Sequence, residues 1–152
     1  MTSRPVNYPV YIHSNSVSTR RLTAGTVSEV KKAIEAIPDT RQYNIIAHIT
    51  HGKGSKPNLS SCFATREPHV LFHINASDDA DKTDDGLSWV NNVVAGLHAT
   101  KETITPVYVS FMGQDLATDK SFGDGWNRLK ALKKKHDANN VFQFAQPKLP
   151  VE

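Results

Sequence analysis

Strand-like and helix-like segments alternate along this chain in an order that few folds can accommodate. Residues 8–14, 43–51, 68–75 and 106–112 have the alternating or β-branched character of strands. Apolar side chains at helical spacing occupy residues 26–37, 83–97 and about 125–136. The resulting order is β-α-β-β-α-β-α, with two βαβ halves. It predicts an α+β fold of the ferredoxin-like split βαβ type, an antiparallel sheet with helices on one face.

The expected helix ends carry recognisable signals. Thr26 and Glu29 have the spacing of a capping box, and Pro38 is expected to end that helix. Asp84 and Asp85 suit the positive N-terminal end of the second helix. These signals predict two helices that cover the sheet.

The length and the cysteine content limit the class of protein. The chain has 152 residues, which predicts a single domain over residues 1–152. Its one cysteine, Cys62, excludes an internal disulfide and a cysteine-rich zinc site. There is neither an apolar run long enough for a membrane helix nor the apolar core of a secretory signal. We therefore expect a cytoplasmic protein with no membrane association.

The positive charge does not indicate a nucleic-acid partner. The net charge is +3, but much of the excess lies in one short run, Lys130 and residues 133–135. No aromatic side chains alternate with these lysines to form a stacking platform for bases. We interpret the run as the solvated face of a helix and expect no nucleic-acid binding.

Strand alternation places many polar and titratable side chains on one face of the predicted sheet. Successive residues of a strand point to opposite faces, and each predicted strand has one apolar row and one mixed row. Four of the seven histidines fall in the mixed rows. Such a face is either an exposed or dimer-buried polar surface or the lining of a pocket, and we favour the pocket. The expected members are Tyr11, His13, His48, Thr50, His69, Leu71, His73, Tyr108 and Ser110.

Several kinds of chemistry are disfavoured by spacing. His48 and His51 lie three residues apart on a strand and so point to opposite faces, and no metal-binding motif is present. No nucleophile elbow occurs, and Gly52-Lys-Gly54 is too short for a phosphate-binding loop. Acid–base catalysis and hydrogen bonding by histidine and tyrosine remain. We expect neither a metal nor a cofactor.

Three segments resemble a known family. SFGDGWNRLKALKKKHDANNVF at residues 121–142 is similar to the C-terminal signature of berberine-bridge-enzyme-like FAD-linked oxidases, with Ala138 in place of the usual proline. CFATREPH at residues 62–69 resembles the stretch before a central strand of that family's substrate domain. VYVSFM at residues 107–112 resembles a strand that often reads Tyr-Val-Asn-Tyr. The resemblance covers roughly residues 25–146.

The resemblance implies the substrate domain of these oxidases, which has the ferredoxin-like architecture predicted above. It does not extend to their FAD-binding domain, which carries a glycine-containing pyrophosphate loop. We therefore expect a stand-alone relative without the flavin domain. Without an electron acceptor, the family's hydride transfer would not operate.

The resemblance leads to a functional hypothesis. The family acts on alkaloids, terpenoids and polyketides, frequently in fungal biosynthesis, which implies a hydrophobic small-molecule substrate. We expect a cofactor-free cyclase or isomerase in secondary metabolism, including a Diels–Alder-type cycloaddition catalyst. The expected catalytic residues are His48, His73 and Tyr108. The expected substrate-binding residues are Tyr11, His13, Thr50, Arg66, His69, Leu71 and Ser110.

Three alternatives remain open. The chain is a non-catalytic binding or accessory subunit related to an FAD-linked oxidoreductase, an inert truncation product, or a dimeric α/β-barrel protein unrelated to the oxidases. Loss of a flavin domain would expose an apolar surface, so a homodimer or a partner subunit is expected. The C-terminal motif favours the oxidase ancestry over the barrel.

Overall fold

A computed structural model gives the fold of most of the chain. It describes residues 10–58, 60–61, 63–79, 83–105, 108–112, 118–145 and 148–150. No helix within these ranges is long and apolar enough to cross a membrane.

Four strands and four α-helices make up the described structure. The strands are β1 Val10–Thr19, β2 Gln42–Thr50, β3 His69–Asp79 and β4 Thr103–Ile104. The helices are α1 Ala24–Glu35, α2 Thr83–Ala99, α3 Thr118–Phe122 and α4 Trp126–His136. Short 3-10 turns occupy Gly52–Ser55, Val109–Phe111 and Gly123–Gly125.

The strand order confirms the predicted fold class. The sheet runs β2-β3-β1-β4, and its three neighbouring pairs are all antiparallel. α1 and α2 pack against each other and against one face of this sheet. This is the split βαβ arrangement with helices on one face.

The hydrophobic core lies between α2 and the two central strands. From the sheet it takes Val17, Phe72, Ile74 and Ala76, which alternate along β1 and β3. From α2 it takes one helical stripe that includes Trp89. The Trp89 indole donates a hydrogen bond to the Ala33 carbonyl oxygen of α1 at 3.0 Å. The remaining residues of the stripe are Val90, Val93 and Leu97.

The predicted fourth strand is wrong in its position. The sheet is completed by Thr103 and Ile104, which pair with Thr19 and Ser18. Residues 109–111 form a 3-10 turn instead, and residues 106–107 of the predicted strand lie outside the described residues. β4 lies earlier in the chain than the predicted strand because the chain reverses direction directly after α2, where Lys101 adopts a left-handed conformation at φ 59°.

The N-terminus of α1 also differs from the prediction. The N-cap is Thr23, whose hydroxyl accepts a hydrogen bond from the Thr26 amide at 3.2 Å, so the predicted capping box is wrong. Glu29 pairs with Lys32 at 2.6 Å rather than reaching back to a cap. The true cap therefore lies three residues earlier than the Thr–Glu spacing indicated.

The C-terminal motif forms a compact turn after α4. The Asp137 carboxylate accepts hydrogen bonds from the Val141 amide at 2.7 Å and the Phe142 amide at 3.3 Å, and it pairs with Lys133. The hydrogen bond from Lys133, followed by those backbone amides, lowers the pKa of Asp137. Asn140 adopts a left-handed conformation at φ 52°, which asparagine tolerates well. The Lys-…-Asp-x-x-Asn pattern of the motif is thus explained by a turn.

Candidate functional site

A cavity of about 520 Å³ lies on the face of the sheet opposite α1 and α2, which we call the open face. Residues from the sheet, from the loop after β2 and from the turn at residues 108–111 surround it. Six of the ten predicted site residues line this cavity: His48, Thr50, Arg66, His69, Leu71 and Tyr108. The other lining residues are Ser18, Gly54, Phe63, Thr65 and Phe111.

The strand register brings the sheet residues of the cavity together. His48 of β2 lies opposite Leu71 of β3, and Thr50 lies opposite His69. On the other side of β3, Ser18 of β1 is also opposite Leu71. Directly opposed residues of paired strands point to the same face, so these five side chains form one patch.

Aromatic rings form the upper wall of the cavity. Phe111 lies parallel to the His48 ring with a centroid distance of 5.7 Å and an interplanar angle of 23°. Tyr108 makes edge contacts with Phe111 at 5.3 Å and with Phe63 at 5.7 Å. These are favourable aromatic geometries, and they leave an apolar wall beside the polar sheet residues.

His73 lies next to the cavity, beneath Phe111. The two rings are parallel, with centroids 3.8 Å apart, and the His48 ring is 6.3 Å away. Its Nε2 is hydrogen-bonded to the Ser14 hydroxyl at 3.0 Å. Burial, and then the charge of His48, lower the pKa of His73. The surroundings of His73 therefore favour its neutral form, and its ring is next to two rings that line the cavity, those of Phe111 and His48.

His69 has a fixed hydrogen-bond role. Its Nδ1 lies 2.7 Å from the Glu67 carbonyl oxygen, and the side chain is buried. Because a carbonyl oxygen only accepts, Nδ1 carries a proton and the neutral ring keeps Nε2 as an acceptor.

Arg66 holds the loop at the rim of the cavity. Its guanidinium donates to the carbonyl oxygens of Phe63 at 2.9 Å and Gly54 at 3.0 Å, and to the Ser61 hydroxyl. It also lies 4.8 Å from the centre of the Phe63 ring, in a cation–π contact. The loop itself thus uses the donors that we had expected to bind a substrate oxygen.

Tyr11 and His13 do not lie on the open face, so their predicted placement is wrong. They oppose Asp78 and Ala76 in the register, and Ala76 belongs to the core beneath α2. Placing Tyr11 and His13 on the open face would require Val10 and Ile12 to pack under the helices, but Ile12 is 69% exposed. Val17, 2% exposed, sets the phase of β1 instead.

Ser110 and Phe111 differ from the strand-based prediction because residues 109–111 form a 3-10 turn instead of a strand. Ser110 was predicted to share a strand row with Tyr108, but it is exposed on the 3-10 turn and is not among the cavity-lining residues. Alternation along the predicted fourth strand would place Phe111 in the apolar row under the helices, yet its ring covers His48 and His73. Phe63 was missed because it lies in a loop, where periodicity carries no signal.

Among the described residues, no group of three histidine, cysteine, aspartate or glutamate side chains is arranged to hold a metal ion. Cys62, which could not be assigned a metal role from sequence, lies outside the described residues.

Comparisons with known proteins find similarity to the same family that the sequence motifs indicated. Residues 107–147 match the family model described as berberine and berberine like. The chain is 36% identical over 149 residues to the FAD-linked oxidoreductase aurO of Gibberella zeae, an alignment covering 97% of this chain and 29% of that protein. The resemblance predicted from the motifs is thereby confirmed.

Two solved structures are similar in fold. A variant of Physcomitrella patens BBE-like 1 superposes with a TM-score of 0.74 and 18% identity, covering 91% of this chain and 30% of that one. A chitooligosaccharide oxidase superposes with a TM-score of 0.67 and 19% identity, covering 86% of this chain and 31% of that one. The chain thus spans under a third of the length of these relatives.

The described residues do not form a cradle for the pyrophosphate of FAD. The turn at Gly52–Ser55 is closed by a hydrogen bond from the Ser55 hydroxyl to the Gly52 carbonyl oxygen, and extended backbone follows it rather than a helix. The glycine turn before α4 packs Gly123 against the Ala64 side chain. A pyrophosphate loop needs open amides at a helix N-terminus, and these two turns do not provide them.

Proposed function

We propose that the open-face cavity binds a planar hydrophobic small molecule and promotes a non-redox cyclisation or isomerisation. The substrate class is a terpenoid, polyketide or alkaloid intermediate of secondary metabolism. The observation that carries the proposal is the cavity itself, in which His48 and Tyr108 stand among the rings of Phe63 and Phe111.

The aromatic wall would hold the substrate by stacking. The rings of Phe63, Tyr108 and Phe111 line the cavity, so a flat ligand can pack against them. Holding two reactive ends of one molecule in a near-attack geometry removes several kcal/mol of barrier, about 7–11 in the best intramolecular cases. A cycloaddition of the Diels–Alder type needs little more than this positioning.

The polar residues would supply the remaining chemistry. The Tyr108 hydroxyl and the His48 ring can donate a hydrogen bond to a substrate carbonyl, which stabilises charge that develops there. His73, kept neutral by burial, would take or return a proton beside them. Thr50, His69 and Leu71 would shape the floor of the cavity.

Product analysis tests this function. The purified protein is incubated without added flavin with a panel of polyketide and terpenoid precursors, and products are separated by chromatography and weighed by mass spectrometry. The proposal expects a product of unchanged mass, or of mass changed by water alone, whose formation requires His48 and Tyr108. A product that has lost two hydrogens would contradict the non-redox reaction.

A second candidate function is that of the substrate-binding part of an FAD-linked oxidoreductase. The similarity to aurO, of which the chain covers 29%, favours this candidate. It expects no turnover by the isolated chain and the appearance of oxidised product only when a flavin-binding partner is supplied. The same cavity serves both candidates, so product mass and the need for a partner distinguish them.

A further inference from the structure

His69 of β3 lies in the floor of the open-face cavity with one ring nitrogen engaged and the other unpaired. Its Nδ1 donates to the Glu67 carbonyl oxygen at 2.7 Å. Because a carbonyl oxygen only accepts, the proton of the neutral ring is on Nδ1, and Nε2 keeps a lone pair. Among the described residues, no hydrogen bond to this Nε2 is recorded. Nε2 is thus an acceptor atom that the described protein groups leave unpaired.

The Nε2 atom of His69 opens onto the cavity. The residue is only 5% exposed, and it lines the cavity. Within the described part of the chain, the fully buried side-chain nitrogen and oxygen atoms without a hydrogen-bond partner belong to His13, Ser16 and Thr19. His69 Nε2 is unpaired and is not one of these atoms, so part of its surface is open. The opening leads into the cavity, because the cavity is the space that this nearly buried side chain borders.

Two hydroxyl groups lie beside this nitrogen on the same face of the sheet. Thr50 is directly opposite His69 in the register, and Ser18 is opposite Leu71, the next residue of β3 on this face. Both line the cavity, and neither hydroxyl is recorded in a hydrogen bond among the described residues. Since a hydroxyl can donate as well as accept, the floor offers an acceptor nitrogen next to groups that can donate.

The polar floor does not present a free charge to a ligand. The described residues that line the cavity include no carboxylate and no lysine. Arg66, which also lines it, donates to the carbonyl oxygens of Phe63 and Gly54 and to the Ser61 hydroxyl. The floor is therefore built to recognise a neutral polar group by hydrogen bonding.

We propose that His69 is a specificity-determining residue, whose Nε2 accepts a hydrogen bond from a phenolic or enolic hydroxyl of a flat ligand packed against the aromatic wall. The oxygen of the same hydroxyl can accept from Thr50 or Ser18, so both functions of the group are paired. An indole N–H can only donate and a carbonyl oxygen can only accept, so each would leave part of the floor unpaired, which is costly in a buried site. This inference rests on the proposed function and narrows its substrate class to hydroxylated planar molecules.

Two probes of similar size test the acceptor in the wild-type protein. 1-Naphthol carries the hydroxyl donor, whereas 1-fluoronaphthalene has a fluorine in its place and cannot donate. Their affinities are measured by fluorescence titration at pH 8, above the usual pKa of histidine. We expect 1-naphthol to bind about fivefold more tightly, as the gain of one hydrogen bond implies. Equal affinities for the two probes would overturn the inference.

Three variants assign the preference to Nε2. His69→Asn keeps a donor for the Glu67 carbonyl oxygen, because the asparagine amide nitrogen takes the position of Nδ1, but it lacks Nε2, and we expect it to lose the fivefold preference. His69→Gln can place its amide oxygen near the position of Nε2 and should keep part of the preference. His51→Asn, the same substitution at an exposed histidine outside the cavity, should keep all of it. A full preference in His69→Asn would overturn the inference.

These binding measurements separate the role of His69 from the proposed reaction. If the preference depends on His69 but no substrate is turned over, the proposed reaction fails while the assignment of Nε2 stands. If product forms while both probes bind equally, the reaction stands and the assignment of Nε2 fails.

Discussion

The carboxylate of Asp78 links the end of β3 to the start of α2. It accepts hydrogen bonds from the Tyr43 hydroxyl at 2.6 Å and the Gly86 amide at 2.8 Å, and Arg41 lies 3.8 Å away. The Asp78 side chain is fully buried. A buried carboxylate is stable only when such partners surround it, so each partner contributes to the fold.

Removing the Tyr43 hydroxyl should destabilise the protein in a pH-dependent way. Burial, and then the hydrogen bond to Asp78, raise the pKa of Tyr43 to about 12, against roughly 10 in an unfolded chain. The stabilisation from this hydroxyl is complete below about pH 10 and is lost as the pH rises toward 12. At neutral pH we expect Tyr43→Phe to lower the free energy of unfolding by roughly 1–3 kcal/mol.

Urea denaturation followed by tryptophan fluorescence measures this difference. The difference in unfolding free energy between Tyr43→Phe and the wild type should shrink as the pH rises from about 10 toward 12. Tyr11→Phe, which changes an exposed tyrosine, should have the same unfolding free energy as the wild type at every pH. A constant difference between Tyr43→Phe and the wild type across that range would contradict the assigned role of the hydroxyl.

For single residues, the alternation of apolar and polar side chains predicted the correct face of the sheet wherever a strand has a clear apolar row. It placed His48, Thr50, His69 and Leu71 on one face, as the register confirms. It failed for Tyr11 because the first strand extends to Thr19, and the buried Val17 outweighs the shorter Val–Ile pattern before it. The phase of a strand is set by its most buried residues, which a truncated pattern does not include.

The contact between β3 and α2 requires a glycine at position 86. A Cβ atom there would lie 2.1 Å from the Asp78 Oδ2 atom and 2.9 Å from the Ala76 Cβ atom. The glycine thus allows the first turn of α2 to approach the strand closely enough for its amide to bind the carboxylate.

We expect Gly86→Ala to destabilise the protein by roughly 1–3 kcal/mol, because the buried carboxylate must move and lose its amide partner. Gly25→Ala in α1 is the matched control, since its Cβ would make only an ordinary contact with the Thr23 hydroxyl at 3.6 Å. That substitution should leave stability unchanged or raise it by up to about 1 kcal/mol. Thermal unfolding of both variants by circular dichroism checks the pair, and equal melting temperatures would contradict the close approach.

The order of the helices and strands could be predicted from the sequence, but the position of the edge strand β4 could not. Helical spacing and β-branched runs gave α1, α2, β2 and β3 within a few residues. The two-residue β4 has too little sequence to produce a pattern, and it forms because the antiparallel partner β1 is long enough to receive it. The turn that carries Tyr108 and Phe111 has strand-like composition but packs as a lid over the histidines.

Among the exposed apolar side chains, those at the end of β2 and in the C-terminal turn are some of the most exposed. Ile49 of β2 is 68% exposed, because the helices cover only the first half of that strand's apolar row. At the C-terminal turn Phe142 is 70% and Phe144 85% exposed. Clusters of large exposed apolar groups usually mark interfaces.

We predict that the chain self-associates through the C-terminal turn. Replacing Phe142 and Phe144 together with serine should convert a dimer to a monomer, because it removes the largest exposed apolar groups of that turn. Sedimentation velocity of the wild type and the double variant measures the change. The double variant Leu22→Ser and Val27→Ser, which changes exposed residues just before α1 and within it, should stay dimeric. A wild type that is monomeric at all concentrations would contradict the prediction.

The resemblance of the chain to the berberine-like family could be recognised from the motif at residues 121–142, which forms a specific turn around Asp137. The cavity could not be predicted from the sequence, since its aromatic wall comes from the loop after β2 and from the turn at residues 108–111. Its polar floor, built by two paired strands, was predictable because register and alternation fix it.

Binding of a planar aromatic probe tests whether the open-face cavity is a small-molecule site. The affinity for 1-naphthol is measured by fluorescence titration for the wild type, His48→Ala and His51→Ala. His48 lines the cavity, whereas His51 is exposed just beyond β2 and is not among the lining residues. We predict an affinity about tenfold weaker for His48→Ala, equivalent to about 1.4 kcal/mol, and an unchanged affinity for His51→Ala. Equal affinities for the two variants, or no binding by the wild type, would contradict the assignment of the cavity.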